Sequence, residues 1–389
     1  MKDSAFLIVC LGILAVLGGA AVAVEAPREA AGSPRLSALL GSADPGFARA
    51  LEPREFAFPA DHGPHPEYRN EWWYVTGNLD AATGERFGFE LTIFRFALAP
   101  ATEPAPVADE TSAWRTRQVY VGHFAVTDVS GRRFLADESF ARGALGLAGA
   151  AADPFRVWVE DWFLKSFPKS EQAGGKWLLH ADSGHAALTL TLQPLKPPVL
   201  QGDDGLSRKS FEPGNASYYY SITRIATDGA LRIGREVYDV SGLSWLDREW
   251  GSSALSDEQA GWDWFALQLA DGSELMYYQL RRRDGSIDPM SAGTFVPAEG
   301  APVHLTHEDM ALEVRDYWTS PQGGRYPSAW TLAVPKLALT AEVEPVMAAQ
   351  ELDTSVRYWE GAVDVSGRRG ARELTGRGYV ELTGYAHGP

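Results

Sequence analysis

Carboxylates stand beside tryptophans in several stretches of this chain, three of which could do acid chemistry in an apolar setting. The stretches read Glu-Trp-Trp-Tyr at 71–74, Asp-Arg-Glu-Trp at 247–250 and Trp-Asp-Trp at 262–264. A carboxyl group removed from water is harder to ionise, so its pKa rises and it can act as a general acid near neutral pH. The neighbouring rings would form ordinary core or the wall of a ligand pocket.

The stretch at 247–249 is the most highly charged of the three. Successive side chains of a β-strand point to opposite faces, so Asp247 and Glu249 would share one face and Arg248 would lie on the other. Two carboxyls on one face could hold a proton between them. The alternative is a structural ion pair with the arginine, which would fix a strand or the end of a barrel.

Asp263 would face away from the tryptophans at 262 and 264. It would lie on the side of Phe265 and Leu267, which are typical core residues, and there it would be desolvated. The candidate catalytic acids are therefore Asp247, Glu249 and Asp263.

The run at 71–74 is expected to begin the first strand of the fold. Its aromatic side chains would close a barrel end or wall a cavity, and core packing is the simpler explanation of the two. Glu71 is expected to pair with an arginine, such as Arg69 or Arg95.

Metal and cofactor chemistry have little support in the sequence. His62 and His65, like His304 and His307, have metal-like spacing, but zinc needs three or four ligands in a defined geometry. The chain also lacks a Gly-x-Ser-x-Gly elbow, a Walker loop and a Gly-x-Gly-x-x-Gly fingerprint. We therefore expect neither a metal site nor a cofactor.

Composition limits the class of protein further. The 389 residues carry a formal net charge of −16, which disfavours nucleic acid as a partner. The single cysteine, Cys10, lies in the apolar stretch at 5–24, so removal of that stretch would leave no thiol.

The N-terminus resembles a secretory signal peptide. Lys2 precedes the apolar stretch, and Ala-Val-Ala at 21–23 is a small-x-small cleavage signal. An uncleaved membrane anchor is the alternative, since about 20 apolar residues can cross a bilayer. We expect a periplasmic or secreted protein.

Alternating apolar and polar residues dominate the rest of the chain and predict an all-β fold. In the segment 87–96, Phe87, Phe89, Leu91 and Ile93 would share a face, and similar segments follow to the C-terminus. Serial strands joined by tight turns favour antiparallel barrels, which remove exposed edges by closing on themselves.

A weak internal repeat suggests a duplicated barrel. At an offset of 190 residues, Trp72 aligns with Trp262 and Tyr74 with Trp264, although few positions are identical and chance is an alternative. The predicted boundary lies near Ala230, just after Asp228-Gly229, which has the composition of a turn. The predicted organisation is a signal peptide at 1–23, a linker at 24–53, an N-terminal domain at 54–230 and a C-terminal domain at 231–389.

The motifs at 65–79, 244–253, 261–272 and 376–385 resemble, in this order, those of the AttH-type lipocalin-like proteins. Many members are labelled predicted secreted hydrolases, and the family is related to carotenoid 1,2-hydratase, also called hydroxyneurosporene synthase. The resemblance covers roughly residues 54–389. It implies two lipocalin-like β-barrel domains and frequent co-occurrence with ABC-transporter components.

The resemblance also implies a cofactor-free reaction, in which a carboxylic acid protonates an alkene and water adds to the cation. The hydratase pattern has a His-x-Trp and, about 25 residues later, a Tyr-x-Asp. Here Trp250 and Tyr277 match, but Arg248 replaces the histidine and Gln279 the acid. The hydratase proton donor is therefore missing unless one of the candidate acids substitutes for it.

Three functions are compatible with these observations. The leading hypothesis is an exported protein that binds an elongated hydrophobic ligand, lipid or isoprenoid in character, inside a barrel. The alternatives are a hydro-lyase of the carotenoid 1,2-hydratase type and an accessory protein of an ABC transporter. The candidate ligand-binding residues are Glu71, Trp72, Trp73, Tyr74, Arg248, Trp250, Trp262, Trp264, Tyr277 and Gln279.

Overall fold

The computed structural model describes residues 46–100, 112–167, 175–253 and 255–386. The predicted signal peptide and most of the predicted linker lie outside the described residues. Within these ranges, no helix is long and apolar enough to cross a membrane. The described residues all belong to one compact unit.

Antiparallel strands form nearly all of the regular structure, which confirms the all-β prediction. The strands of the first sheet are β1 (Asn70–Ala81), β2 (Arg86–Ala97), β3 (Gln118–Asp128), β4 (Arg133–Arg142), β5 (Ala148–Ala152), β6 (Phe155–Val159), β7 (Trp162–Ser166), β8 (Trp177–Asp182), β9 (Ala186–Pro194), β10 (Val199–Leu200), β11 (Leu206–Arg208), β12 (Ala216–Ile233) and β13 (Glu236–Gly251). Their order is β4-β3-β2-β1-β13-β12-β9-β8-β7-β6-β5, and β10 and β11 each pair with β12.

A second sheet contains the remaining strands. They are β14 (Gln259–Leu269), β15 (Glu274–Arg282), β16 (Ala292–Val296), β17 (Val303–Thr306), β18 (Ala311–Thr319), β19 (Arg325–Val334), β20 (Leu339–Pro345), β21 (Glu351–Asp353), β22 (Arg357–Arg369) and β23 (Arg372–Leu382). Their order is β17-β16-β15-β14-β23-β22-β20-β19-β18, and β21 pairs with β22. Three short 3₁₀ helices are described, at Ala60–His62, His307–Asp309 and Pro335–Leu337.

Each sheet curls into a near-closed, lipocalin-like half of the molecule. In the first half, Gly122 of β3 lies against the far end of the sheet, where an added Cβ would meet Val159 at 2.7 Å and Trp162 at 2.9 Å. The rings of Phe124 and Trp162 lie 5.7 Å apart across the same contact. Side-chain packing therefore brings the two ends of this sheet together.

The change from one sheet to the other falls between Gly251 and Gln259. The predicted boundary near Ala230 lies inside β12, which pairs with β13 from Ser217↔Gly251 to Ile233↔Glu236. The Asp-Gly at 228–229 sits within that long ladder, so it does not mark a turn between domains. The first half therefore extends through β13.

The central strands of both sheets are buried on both faces. In β1, Trp73 and Val75 point into the packed core of the first half, whereas Trp72 and Tyr74 belong to an aromatic cluster shared with the second sheet. In β14, Phe265 points into the core of the second half. The two halves therefore pack face to face through these strands, and each strand carries two different sets of buried residues.

The residues of the predicted repeat occupy equivalent places. β1 pairs with β2 and with the last strand of its sheet, β13, and β14 pairs with β15 and with the last strand of its own sheet, β23. The rings of Tyr74 and Trp264, which the repeat aligned, meet edge to face at 5.1 Å between the sheets.

An ionic cluster holds the interior of the first half. Glu71 is fully buried and contacts both Arg95 and Arg248, as the sequence predicted for Arg95. The backbone N–H of His65 donates to its carboxylate oxygens at 3.1 and 3.2 Å. Burial would raise the pKa of Glu71, but Arg248 and Arg95 outweigh it and hold the pKa well below its usual value. The Arg248 guanidinium also stacks on Trp73 at 3.9 Å.

We predict that Glu71→Ala will lower the free energy of unfolding by about 3–5 kcal/mol, because two arginines would remain buried without their carboxylate. Chemical denaturation at neutral pH measures this loss. The matched control is Glu67→Ala, since Glu67 is exposed and its loss should change stability by less than about 0.5 kcal/mol. Equal effects of the two substitutions would show that the arginines regain partners or water.

Candidate functional site

A cavity of about 940 Å³, its open mouth included, lies between the two sheets. The first sheet contributes Trp72, Tyr74, Thr92, Phe94, His123, Tyr219, Asp247 and Glu249. The second sheet contributes Trp262, Trp264, Tyr278, Leu280, Tyr358 and Glu381, and the connecting segments contribute Lys209, Ser253 and Leu255. The walls are therefore largely aromatic, with a few acids set among the rings.

Strand register places a polar row across the first sheet at this cavity. Asp247 lies opposite Ser221 on one side and Tyr74 on the other. Tyr74 is in turn opposite Thr92, which is opposite His123. Since directly opposed side chains on one face lie about 5 Å apart, the row runs continuously over five strands.

Asp247 is the central acid of the site. It is 4% exposed and accepts hydrogen bonds from Tyr219, from Ser221 Oγ at 2.5 Å and from Trp245 Nε1 at 2.7 Å. Burial raises the pKa of Asp247 to about 7, against the opposing effect of these donors. Near neutral pH the carboxyl is therefore present in both its protonated and its ionised form.

Tyr219 connects this acid to the second sheet. Its hydroxyl donates to Asp247 and accepts a hydrogen bond from Trp264 Nε1 at 3.1 Å. When Asp247 is protonated, it can donate to the Tyr219 oxygen and free the phenolic proton. Because Tyr219 lines the cavity, the pair can deliver a proton to a bound molecule.

Glu249 is neutralised by a lysine. Lys209 Nζ lies 2.9 Å from its carboxylate, and Ser217 donates to the same oxygen. Burial would lower the pKa of Lys209, but Glu249, Tyr278 and Asp247 together outweigh it and raise that pKa. The ammonium also lies 4.9 Å from the centre of the Tyr278 ring.

The second sheet carries an acid pair at the other wall. Glu381 lies opposite Glu360 in the β22–β23 ladder and accepts a hydrogen bond from Trp262 Nε1 at 3.0 Å. Burial raises the pKa of Glu381 to about 8. Burial, with Glu90 and Glu381 nearby, raises the pKa of Glu360 well above its usual value.

Glu90 and Glu360 are both fully buried, and neither forms a salt bridge with a described lysine or arginine. Burial also raises the pKa of Glu90 well above its usual value. Without a cationic partner, burial favours the protonated form of both carboxyls.

A hydrogen-bonded chain crosses the cavity wall at His123. Its Nε2 lies 3.1 Å from Glu138, and its Nδ1 lies 2.7 Å from the Tyr358 hydroxyl of the second sheet. Burial would raise the pKa of Glu138, but hydrogen bonds from His123 and Ser355 outweigh it and lower that pKa. The imidazole therefore links Glu138 of the first sheet to Tyr358 of the second.

The structure divides the sequence-predicted residues between two environments. Those that line the cavity are Trp72, Tyr74, Asp247, Glu249, Trp262 and Trp264. The others lie outside the cavity lining, on the opposite faces of the same strands or of neighbouring strands. They are Glu71, Trp73, Arg248, Trp250, Asp263, Tyr277 and Gln279. The sequence placed the ligand inside a barrel, whereas the described cavity lies between the two halves.

Asp263 belongs to the core side of β14, as its alternation predicted. It is 1% exposed, and its carboxylate accepts from Arg281 Nε at 2.9 Å and from the Tyr385 hydroxyl at 3.0 Å. Burial raises the pKa of Asp263 against these partners. Asp263 therefore belongs to a buried network with Arg281 and Tyr385 and does not line the cavity.

Sequence reasoning missed several residues of the site. They are Tyr219, Lys209, His123, Tyr278, Tyr358 and Glu381. Alternation did assign Tyr219 and Glu381 to strands, but only the pairings Tyr219↔Glu249 and Trp264↔Glu381 bring them to the cavity. Pairing between strands that are far apart in the sequence cannot be predicted from the residues around either strand.

Within the described ranges, no group of three or more His, Cys, Asp or Glu residues could hold a metal ion. In the histidine pair at 62 and 65, the Nε2 atom of His65 lies 3.1 Å from the Asp61 carboxylate, and its ring stacks on that of Trp250 with the ring centres 3.8 Å apart. His62 lies 2.6 Å from the Tyr220 hydroxyl. Both imidazoles therefore take part in the packing of the first half.

Comparison with known proteins identifies the relatives of this fold. The family model described as AttH-like matches residues 49–385. The crystal structure of a candidate AttH from Nitrosomonas europaea is 33% identical, with a TM-score of 0.76, over 87% of this chain and 99% of that chain. Kievitone hydratase from Nectria haematococca is 15% identical, with a TM-score of 0.64, over 87% of this chain and 98% of that chain. The curated proteins give no match.

We predict that Glu360→Gln will stabilise the protein at pH 9 and change little at pH 5. A carboxyl with a raised folded pKa holds its proton more tightly in the folded state than in the unfolded chain. Its contribution is therefore complete below its unfolded pKa of about 4.3 and is lost as pH rises through the folded pKa. Glutamine cannot ionise, so the melting temperature of the variant should fall less between pH 5 and pH 9.

Scanning calorimetry at the two pH values gives this difference. The matched control is Glu344→Gln, because Glu344 is an exposed glutamate of the same sheet and should leave the pH dependence unchanged. If the melting temperature of Glu360→Gln fell with pH as steeply as that of the wild type, Glu360 would have to be ionised in the folded state, with its charge balanced by other groups.

Proposed function

The chain belongs to the AttH-like family, and from that premise we propose that it binds an unsaturated hydrophobic molecule between its two halves and adds water to a carbon–carbon double bond. The observation that carries the proposal is Asp247, a buried acid with a pKa of about 7 in an aromatic cavity. General acids are most effective when their pKa lies near the working pH.

The reaction needs no group beyond this chain and water. Asp247 passes its proton to Tyr219, whose phenolic proton adds to one alkene carbon and leaves a cation on the other. The faces of Trp72 and Trp264 stabilise that positive charge. Water forms the new C–O bond and loses a proton to Glu249. Solvent then takes this proton from Glu249 and returns one to Asp247, so that both acids regain their starting forms.

Each participant lies at the cavity in a suitable form. Tyr219 is hydrogen-bonded to Asp247, and Glu249 is held by Lys209. The fold of kievitone hydratase is similar, but at 15% identity that likeness concerns the fold alone. The proposal rests on the chemistry of the cavity. The N-terminal apolar segment supports its location outside the cytoplasm.

Binding without turnover is the second candidate function. Both oxygens of Asp247 already accept hydrogen bonds, from Tyr219 on one side and from Ser221 and Trp245 on the other. Donors of this kind favour the ionised carboxylate, which cannot protonate an alkene. In that case the cavity would carry a lipid or isoprenoid ligand unchanged.

We predict that geraniol, a small neutral alkene, will change the tryptophan fluorescence of the protein with a saturable dependence on concentration. Trp72, Trp262 and Trp264 line the cavity and would report its occupation. Trp264→Leu should weaken binding by about 1–3 kcal/mol, since it removes one wall. Trp158→Leu is the control, because Trp158 of β6 is outside the cavity lining. Unchanged binding in the first variant would place geraniol elsewhere.

We predict that Asp247→Asn will lower the rate of hydration about 10²–10⁴-fold without weakening geraniol binding to a similar degree, because it removes the acid and keeps the cavity. The assay follows hydroxylated products from geraniol, neurosporene or lycopene by mass spectrometry in labelled water. Asp239→Asn is the control on the same strand, since Asp239 is exposed. Binding with no product in the wild type would favour the carrier function.

A further inference from the structure

Acids outnumber cations on the walls of the cavity. Asp247, Glu249 and Glu381 line it, and the lysine that lines it, Lys209, is already paired with Glu249 at 2.9 Å. Neither Asp247 nor Glu381 forms a salt bridge with a described lysine or arginine. The two acids therefore gain a neutralising partner only by holding a proton or by meeting a cation from outside.

The walls already hold one cation. The ammonium of Lys209 lies 4.9 Å from the ring centre of Tyr278 and 5.7 Å from that of Tyr219. Such distances are typical of cation–π contacts. The rings of Trp72 and Trp264, which also line the cavity, would offer the same kind of surface to a bound cation.

We propose that the cavity selects ligands in which a hydrophobic body carries a positive charge, such as a quaternary or protonated amine. This inference rests on the proposed function, since it names the ligand class of the same cavity. The charge would lie between Asp247 and Glu381, against the aromatic rings. A cation in this position would also imitate the intermediate of the proposed reaction, and such mimics bind more tightly than the substrate.

Binding of a cation should strengthen as pH rises from 6 to 9. Asp247 and Glu381 have pKa values of about 7 and 8, so a cation would displace a proton from them. Several other groups face these acids and would respond to the same charge. They are Glu90, Glu360, Glu249, Lys209, His123, Tyr74, Tyr219, Tyr358 and Tyr379.

The test compares two molecules of the same shape, benzyltrimethylammonium and its neutral isostere neopentylbenzene. Titration of tryptophan fluorescence gives both affinities for the full chain. At pH 8 the cation should bind about tenfold or more tightly than the isostere. From pH 6 to pH 9 its affinity should rise, and that of the isostere should stay constant.

Variants of the two acids locate the charge. Glu381→Gln and Asp247→Asn should each reduce the preference for the cation several-fold and keep the affinity for neopentylbenzene, which shows that the cavity still folds. Asp239→Asn removes an exposed carboxylate of β13 and should retain the wild-type preference.

The outcomes separate this inference from the proposed function. Equal or tighter binding of neopentylbenzene would overturn the charge selectivity and leave the hydrophobic cavity in place. A wild-type protein that binds neither molecule, nor geraniol, would remove both proposals. A cation preference that survives in both acid variants would also overturn the inference, because the charge would then be recognised elsewhere.

Discussion

The face-to-face packing of the two sheets is the constraint on which the rest of the structure depends. It makes both faces of β1, of β14 and of the C-terminal parts of β13 and β23 interior, so alternate residues of one strand face two different environments. In β13, Arg248 completes the ionic cluster with Glu71, and Asp247 and Glu249 enter the cavity. A slip of one residue in the β1–β13 register would exchange these sets and bury each in the wrong place. The register of β1 and β13 is therefore fixed both by the packed interior of the first half and by the interface between the sheets.

Much of this arrangement follows from local sequence. The period of two predicted the all-β fold, and it placed Asp247 and Glu249 on one face with Arg248 on the other, as the structure has them. It also placed Asp263 with Phe265 and away from the tryptophans. Alternation needs only the pleat of a strand, which is a local property. The family resemblance is confirmed by the AttH-like family model, which matches residues 49–385.

The rest depends on contacts between distant parts of the chain. Nothing near Glu381 in the sequence indicates that it lies opposite Glu360 and beside Trp264. The cavity itself arises only when two sheets meet, so its location between the halves was not readable from the composition of either one. The predicted domain boundary near Ala230 falls inside a strand for a related reason. The Asp-Gly at 228–229 has the composition of a turn, but β12 continues through it because β9 and β13 pair along both of its edges.

Equal burial has opposite consequences for the acids on the two sides of the central strands. Glu71 is as deeply buried as Glu360, yet its pKa is lowered because two arginines accompany it. Glu360 lies opposite another acid without a cation, and its pKa is raised. An apolar pair would fill the interface between the sheets at a lower cost in free energy than carboxyls that must stay protonated. Their presence there is a departure from what stability alone favours, and departures of this kind are concentrated at functional sites. These acids lie between the sheets without a cationic partner, and both their position and the missing cation indicate that chemistry takes place there.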